Sequence, residues 1–464
     1  INSMNKIISL SIVSLALLTS CKSKPLTENK TSEKPKSELT DNQLMDKVQS
    51  DALKYFWDFA EPNSFLGRER YHEDNIYPDN DKHVITTGGS GFGLMTILVG
   101  VDRKFIPRRE AVKRLTHIAD FLEKADRFHG AWPHWINGET GKVVPFGKKD
   151  NGGDLVETAF LVQGMICVRE YFKNGNAEEK ALAAKMDKLW KGVEWNWYTR
   201  GGEKVLYWHW SPSYGWEMNF PLQGYNECLV TYVLAAASPD YSIGSETYNK
   251  GWSRNGTYTT DRTKYGLPLY VKHNYAEEFG GPLFWSQYSY LGLDPRGLSD
   301  KYVKSYWDLN RNHVLINYNY CVENPLNYKG YSEKYWGLTA GYSRNKDGSV
   351  GYAAHQPMKE DFGVITPTAA LSSMPYTPKE SMAVLRFLYD EKPNFIGQAG
   401  PYDATSINFN DWTTPRYLAI DQGTIAPMIE NYRTGLLWDL FMNAPDIRAG
   451  LKKIGFKSEK HKID

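Results

Sequence analysis

The chain has 464 residues, with 55 basic and 54 acidic side chains and a net charge of +1. That balance offers no field for nucleic acid and none for a polyanion such as a uronic-acid polymer, so a neutral ligand fits better. Aromatic residues make up 14% of the chain, including 15 Trp and 31 Tyr, and many stand beside Gly and Pro in loop-like contexts where a core has little use for them.

Along the chain, Met4 reads as the natural start and Lys6 as a positive leader residue. Residues 7–18 (IISLSIVSLALL) form an apolar run shorter than the roughly 20 residues a membrane span needs. Leu18-Thr19-Ser20-Cys21 is similar to a bacterial lipobox. Residues 1–21 are therefore expected to be a lipoprotein signal peptide, with Cys21 as the lipid-bearing residue of a cell-envelope protein. No acidic pair follows Cys21, which favours the periplasmic side. Residues 22–41 are polar and contain Pro, as a disordered tether would. Residues 42–464 are expected to form one catalytic domain.

Apolar spacing predicts helices over 43–60, 108–128, 153–173, 178–198, 226–238, 282–291, 300–317, 378–391 and 423–442, with shorter buried ones near 90–100, 335–342 and 366–373. Those over 108–128 and 180–197 are amphipathic, whereas 155–168 and 227–237 are apolar nearly all round. Alternation of the two kinds predicts an outer ring around an inner one: an all-α (α/α)6 toroid with long aromatic loops. Little β structure is expected, namely a short hairpin arm at 204–210 and an extended loop at 258–270. Cys167, Cys228 and Cys321 are odd in number and lack a CxxC, which argues against a disulfide framework or a zinc site. Cys167 and Cys228 lie in apolar runs and read as core residues.

The densest chemistry is in residues 128–160, FHGAWPHWINGETGKVVPFGKKDNGGDLVETAF. Flat rings of this kind stack on the apolar faces of sugars, and indole and imidazole nitrogens bond their hydroxyls. Asp150, Asp154 and Glu157 follow at i, i+4 and i+7. Gly152-Gly153 sets a helix start near Asp154, where the free N–H groups favour an ionised carboxylate. That suits a general base or a hydrogen-bonding residue, and equally a plain N-cap. A second aromatic run, WHWSPSYGWEMNFPLQGYNEC, ends on Glu227 and leads into CLVTYVLAAA. Burial there would raise its pKa as a general acid requires, while a cap at Asn226 would pull it down. Asp421 precedes another apolar helix, as an N-cap or a functional acid. Paired carboxylates beside aromatic platforms are what glycosidic bond cleavage needs. By loop context, Trp132, His134, Trp208, His209, Trp216, Tyr225, Trp336 and His355 are candidate substrate-binding residues, with a share of them expected in the core. Ser90-Gly91-Phe92-Gly93 matches no phosphate-loop pattern. The ten His show no HExxH and there is no GxSxG, so no metal, no cofactor and no serine nucleophile is expected.

Six segments, SGFGLMTILVG (90–100), AWPHWINGETGKV (131–143), DNGGDLVETAFLVQG (150–164), YWHWSPSYGWEMNFPLQGYNEC (207–228), GGPLFWSQYSYLGLDP (280–295) and AIDQGTIAPMIENYRTGLLW (419–438), together resemble glycoside hydrolase family 144, a group often labelled glucoamylase-like. The resemblance covers about 42 to 450. It implies an (α/α)6 toroid and metal-free, inverting hydrolysis of β-1,2-glucan, either endo or with exo release of sophorose from the non-reducing end. Carried over by motif, the family's acids fall on Asp150, Asp154, Glu157 and Glu227, and its late aspartate on Asp421, with Asp403 and Asp411 nearby. Glu227 is then expected to be the acid, with Asp154 or Asp421 closest to the water. A lipid-tethered monomer facing the periplasm would meet short chains, which favours the exo mode. The competing readings are an endo-acting enzyme, a non-catalytic glycan-binding lipoprotein, a polysaccharide lyase on a similar toroid and an α-glucan exo-hydrolase.

Overall fold

The computed structural model describes residues 38–77 and 82–463. The expected signal peptide, Cys21 and most of the tether lie outside the described residues. Thr40 opens α1 (Asp41–Trp57) with a capping box to Gln43, so the helical domain begins where the polar run ends. There follow α2 (Thr87–Asp102), α3 (Arg108–Lys124), α4 (Leu155–Phe172), α5 (Ala177–Lys191), α6 (Leu229–Ala237), the short α7 (Ser245–Thr247), α8 (Tyr306–Glu323), α9 (Pro367–Leu371), α10 (Pro378–Arg386), α11 (Ala419–Gln422), α12 (Ile425–Arg433), α13 (Leu436–Met442) and α14 (Pro445–Lys453).

Outer and inner members alternate. The outer ring is α1, α3, α5, the turn of α7 running on through Tyr248–Trp252, α8 and α10. Each is followed by an inner member: α2, α4, α6, the turns Leu283–Ser286 and Tyr288–Tyr290, α9, and α11 with α12. Composition explains the sorting. α2 is buried without a break from Thr87 to Val101 and α6 over its whole length. In contrast, α3 buries only the stripe Ala111, Val112, Leu115, Ile118, Ala119 and Leu122. A helix apolar on every side can be satisfied only between two layers. α13 and α14 pack beneath α4 and α6. The fold is the (α/α)6 toroid expected. Cys167, Cys228 and Cys321 are free and buried. Among the described residues no helix is long and apolar enough to cross a membrane.

Within the inner ring α2 and α4 touch backbone to backbone. A Cβ on Gly91 would lie 2.2 Å from the Phe160 carbonyl oxygen and 2.5 Å from the Leu161 Cα, and one on Gly164 would lie 2.3 Å from the Gly91 oxygen. Main chain cannot step aside as a side chain can. Gly91→Ala is accordingly expected to destabilise by about 3 kcal/mol, the upper part of the overpacking range; a urea midpoint unchanged from the wild type would contradict this.

Five expectations need correction. Residues 282–291 are not one helix but two short 3-10 turns, Leu283–Ser286 and Tyr288–Tyr290, broken at Gln287. Residues 335–342 are not a helix: Ala340–Arg344 pairs antiparallel with Val350–Ala354, turning through residues 345–349. The predicted helix 423–442 is two helices, parted at Gly435 with φ of 77°. His209–Trp210 does not form its own hairpin but pairs with Gly153–Asp154, joining the two aromatic loops. Within 258–270, Thr263–Lys264 and Leu267–Pro268 make a small hairpin. Arg70–His72 pairs with Arg416–Leu418, which ties the first inner helix's approach to the last and closes the ring.

Candidate active site

The inner helices all begin at one end of the toroid, and the loops leading into them enclose a cavity of about 550 Å3. Its walls are aromatic: Trp135, Phe146, Trp208, Phe284, Tyr288 and Tyr342. Glu69, Glu157 and Glu227 supply the acids of its lining, and His72, His134, Arg70 and Arg416 the basic groups.

Asp154 fills both roles the sequence left open. It caps α4, its Oδ1 accepting the Glu157 N–H at 2.8 Å, and the same oxygen accepts the Trp208 indole N–H at 2.9 Å. Its Oδ2 lies 3.2 Å from His134 Nδ1. His134 Nε2 in turn lies 3.8 Å from Glu157 Oε1, while Glu157 Oε2 accepts the Gly88 N–H at 2.7 Å. Phe146 stacks on the His134 ring, with centroids 4.1 Å apart. On the other side, His209 Nε2 lies 3.6 Å from Asp150 Oδ2.

So many carboxyls in one buried place cannot all ionise. Burial would push Asp154 up, but the His134 hydrogen bond and charge outweigh it and hold the carboxyl below its usual range. Burial, then the Asp154 charge, push Asp150 up to about 7. Burial pushes Glu157 up to about 7, against the opposing pull of His134. Burial disfavours a charged His134, yet Glu157, Asp154 and Asp150 together lift it to about 9. Burial holds His209 below its usual value. The result is an Asp154 carboxylate and a His134 imidazolium flanked by two acids that keep or lose a proton near neutrality. Donor atoms of His134, Asp150 and Asp154 lie within 4.8 Å of one another. The His134 ring supplies the counter-charge of these acids.

Glu227 stands two residues before α6. The helix N-terminus is close: Cys228 is the N-cap of α6, without a side-chain cap bond, and Asn226 Oδ1 accepts the Cys228 N–H at 3.0 Å. Burial nevertheless wins: the Glu227 carboxyl rises to about 7, helped by the charges of Glu157 and Asp154 and opposed by its own N–H and the Trp285 indole.

Asp421 lies in the short α11 just ahead of α12, whose N-cap is Thr424 instead, and is buried, with the Tyr288 hydroxyl donating to its Oδ1 at 3.5 Å. It faces Asp403, whose Oδ2 accepts the Tyr342 N–H at 2.6 Å. The two carboxyls hydrogen-bond to each other, which requires a proton on one of them. Burial and the neighbouring carboxyl push Asp421 well up, and burial lifts Asp403 to about 6. Asp411 is elsewhere, paired with Lys392 at 2.8 Å. The sequence expectation places Asp154 or Asp421 nearest the water. Both lie behind the cavity wall, and the acids on its surface are Glu157, Glu227 and Glu69.

Of the eight expected substrate-binding residues, His134 and Trp208 line the cavity, and His209 backs its acids. Four others are core residues. The Trp132 indole donates to the Leu122 oxygen at 3.1 Å beneath the Arg127 guanidinium. The Tyr225 hydroxyl donates to Asn310 Oδ1 at 2.9 Å, and the Trp336 indole donates to the Glu380 oxygen at 3.2 Å. His355 sits between the Thr339 oxygen and Ser343 Oγ, held neutral by burial at about 4. Each is 0% exposed and fills space between the loops and the barrel rim. Trp216 lies in a separate hollow. Glu69, just before the strand Arg70–His72, Arg70 and Arg416 on the ring-closing strands, and Tyr342 and Tyr352 on the two strands of the hairpin also line the cavity and are not among the expected site residues. Phe284 and Tyr288, within the segment 280–295, line it as well.

Residues 219–445 match the Glycoamylase family, described as “Putative glucoamylase”. The chain is 46% identical over 433 residues to an exo β-1,2-glucooligosaccharide sophorohydrolase (non-reducing end) of Parabacteroides distasonis, across 90% of this chain and 58% of that protein. It thus spans less than two thirds of that curated relative's length. Against the endo-β-1,2-glucanase of Chitinophaga pinensis, solved with sophorotriose and glucose, the identity is 57% and the TM-score 0.87, over 90% of this chain and 99% of that one. A β-1,2-glucanase of Parabacteroides distasonis is 44% identical with a TM-score of 0.83, over 90% of this chain and 60% of that one.

Proposed function

Because the chain belongs to glycoside hydrolase family 144, we propose that it cleaves β-1,2-glucosidic bonds of β-1,2-glucan or its oligosaccharides with inversion, releasing sophorose from the non-reducing end. The observation that carries this reading is Glu227: a carboxyl on the cavity surface, lifted to about 7 by burial, among rings suited to sugar faces. Glu227 protonates the departing glycosidic oxygen. Glu157, on the same cavity and beside the His134 cation, takes the proton of the attacking water directly or through a sugar hydroxyl. Asp154 does not meet the water; it keeps His134 charged and Trp208 in place. A second, endo-acting reading is supported by the Chitinophaga pinensis enzyme, whose length this chain covers almost completely.

Products from linear β-1,2-glucan and its short oligosaccharides, followed in time, test the reading. Sophorose alone from the earliest points means the exo mode, and a mixed ladder means the endo mode. No product from either substrate overturns the proposal in favour of an α-glucan hydrolase or a non-catalytic glycan-binding lipoprotein, and an unsaturated product would revive a lyase. The leader at 4–21 supports a lipid anchor on Cys21 and a periplasm-facing location, to be checked by mass spectrometry of the membrane-bound protein.

The two cavity acids also predict a narrow pH optimum. Glu227 must hold its proton, so kcat/KM should fall as pH rises through about 7. Glu157 must lose one, so it should fall as pH drops below about 7. The two limbs belong to coupled groups and form one bell centred near neutrality. A rate flat from neutrality up to about 9, where His134 begins to discharge, would remove Glu227 from the acid role.

A further inference from the structure

The aromatic run that ends on Glu227 builds more than the cavity. Trp197, in the turn Trp195–Thr199 that follows α5, is 38% exposed, the most of any tryptophan among the described residues. Its plane is fixed from several sides. His129 lies flat on it at 3.6 Å between centroids and 13°, Trp210 meets it edge-on at 5.8 Å, and Trp216 leans against it at 6.3 Å. The His129 ring is itself held, with Nδ1 3.0 Å from a Glu194 carboxylate oxygen.

This platform floors a hollow of about 590 Å3 whose other lining side chains include Glu194, Asn196, Arg200, Trp216 and Tyr241. None of these lines the catalytic cavity. Arg200 is anchored by Glu203 and by Asn219 Oδ1 at 2.9 Å. One acid and one base leave the hollow without net charge, so neither a phosphate nor a uronic acid is favoured there. A flat ring with an acceptor, an amide and a forked donor at its rim is instead the chemistry of a neutral sugar.

We propose that the Trp197 hollow is a second, non-catalytic binding site for a neutral glucan chain. It opens at the end of the toroid that bears the cavity, since the outer helix α5 ends where the inner helix α6 is approached. Trp210, which braces the platform, belongs to the strand paired with Gly153–Asp154, so one pair of loops builds both sites. A polymer held on Trp197 is kept at high effective concentration near the cavity, which a short oligosaccharide occupying the cavity alone is not. The identity of the glucan rests on the β-1,2-glucan reading above; the existence of the site does not.

The test is affinity electrophoresis of the full chain through gels containing linear β-1,2-glucan, in a Glu227→Gln background so that the polymer survives. Trp197→Ala is expected to weaken retention by about fivefold, and Trp197→Phe, which keeps a ring, to retain most of it. Retention unchanged in Trp197→Ala overturns the proposal, and so does equal loss in the Ala and Phe variants. Hydrolysis of β-1,2-oligosaccharides by the wild type is measured alongside. If that fails but another neutral glucan retains the chain through Trp197, the site stands and the linkage reading falls. Retention by no glucan at all overturns the site.

Discussion

Glu227→Gln is expected to lower kcat on β-1,2-oligosaccharides by about two to four orders of magnitude while KM moves by less than about threefold. The amide is nearly the same size and still accepts from the Trp285 indole, so the cavity keeps its shape. It cannot give up a proton to a departing sugar oxygen. The effect should therefore depend on the leaving group. With an activated aryl or fluoride leaving group, which departs without protonation, the loss should shrink to about tenfold or less. The alkaline limb of the pH profile should vanish with it, because that limb reports the carboxyl lifted to about 7. Turnover near that of the wild type on natural linkages, measured by release of reducing ends at pH 7, would take the acid role from Glu227. An equal loss on both leaving groups would point instead to a defect in substrate binding or in the water-side step.

The toroid was legible because its inner helices have no polar face: residues 155–168 and 227–237 could lie only between layers, and they do. The acids were legible for a related reason. A carboxyl at the mouth of an apolar helix is costly unless something there needs it, and Gly152-Gly153 marked where that helix would start. Depth was not legible. Trp132 and Trp135 are three residues apart in one loop, yet Trp132 is fully buried and Trp135 lines the cavity; only the packing of the loop on α3 decides between them. The hairpin at Ala340–Arg344 was missed because a short apolar run near Gly337 has the same composition as a buried helix, and pairing with Val350–Ala354 is a non-local choice. Asp403 carried no signal of its own. It became a partner of Asp421 only when the ring closed through Arg416–Leu418. Glu227 posed a contest of burial against helix dipole that composition could not weigh, and the structure decides it for burial, with Cys228 and not Asn226 at the N-cap of α6.

Asp154→Ala is expected to destabilise the chain by about 3–5 kcal/mol at mildly acid pH and to lower kcat by about a hundredfold. The carboxylate serves three partners at once. Its removal uncaps α4, strands the Trp208 indole N–H, and leaves His134 with Glu157 as its nearest acid. The pH dependence separates these roles. His134 is raised to about 9 in the folded state, so its pairing adds stability that is full below its unfolded value near 6.5 and is lost as pH rises through about 9. Asp154 is depressed, so its share is present above an unfolded value near 3.9 and lost as pH falls further. The gap in urea midpoint between wild type and Asp154→Ala should be widest between about pH 4 and 6.5 and should narrow by about half near pH 9.5. Asp154→Asn isolates the charge, because the amide oxygen can still accept from the Glu157 N–H and the Trp208 indole. It is expected to recover most of the cap's contribution, about 1 kcal/mol, while His134 titrates well below 9 and kcat stays low. Were Asn to restore stability, the His134 titration and turnover together, Asp154 would be a helix cap and nothing more, and the charge that holds His134 beside Glu157 would have to come from Asp150.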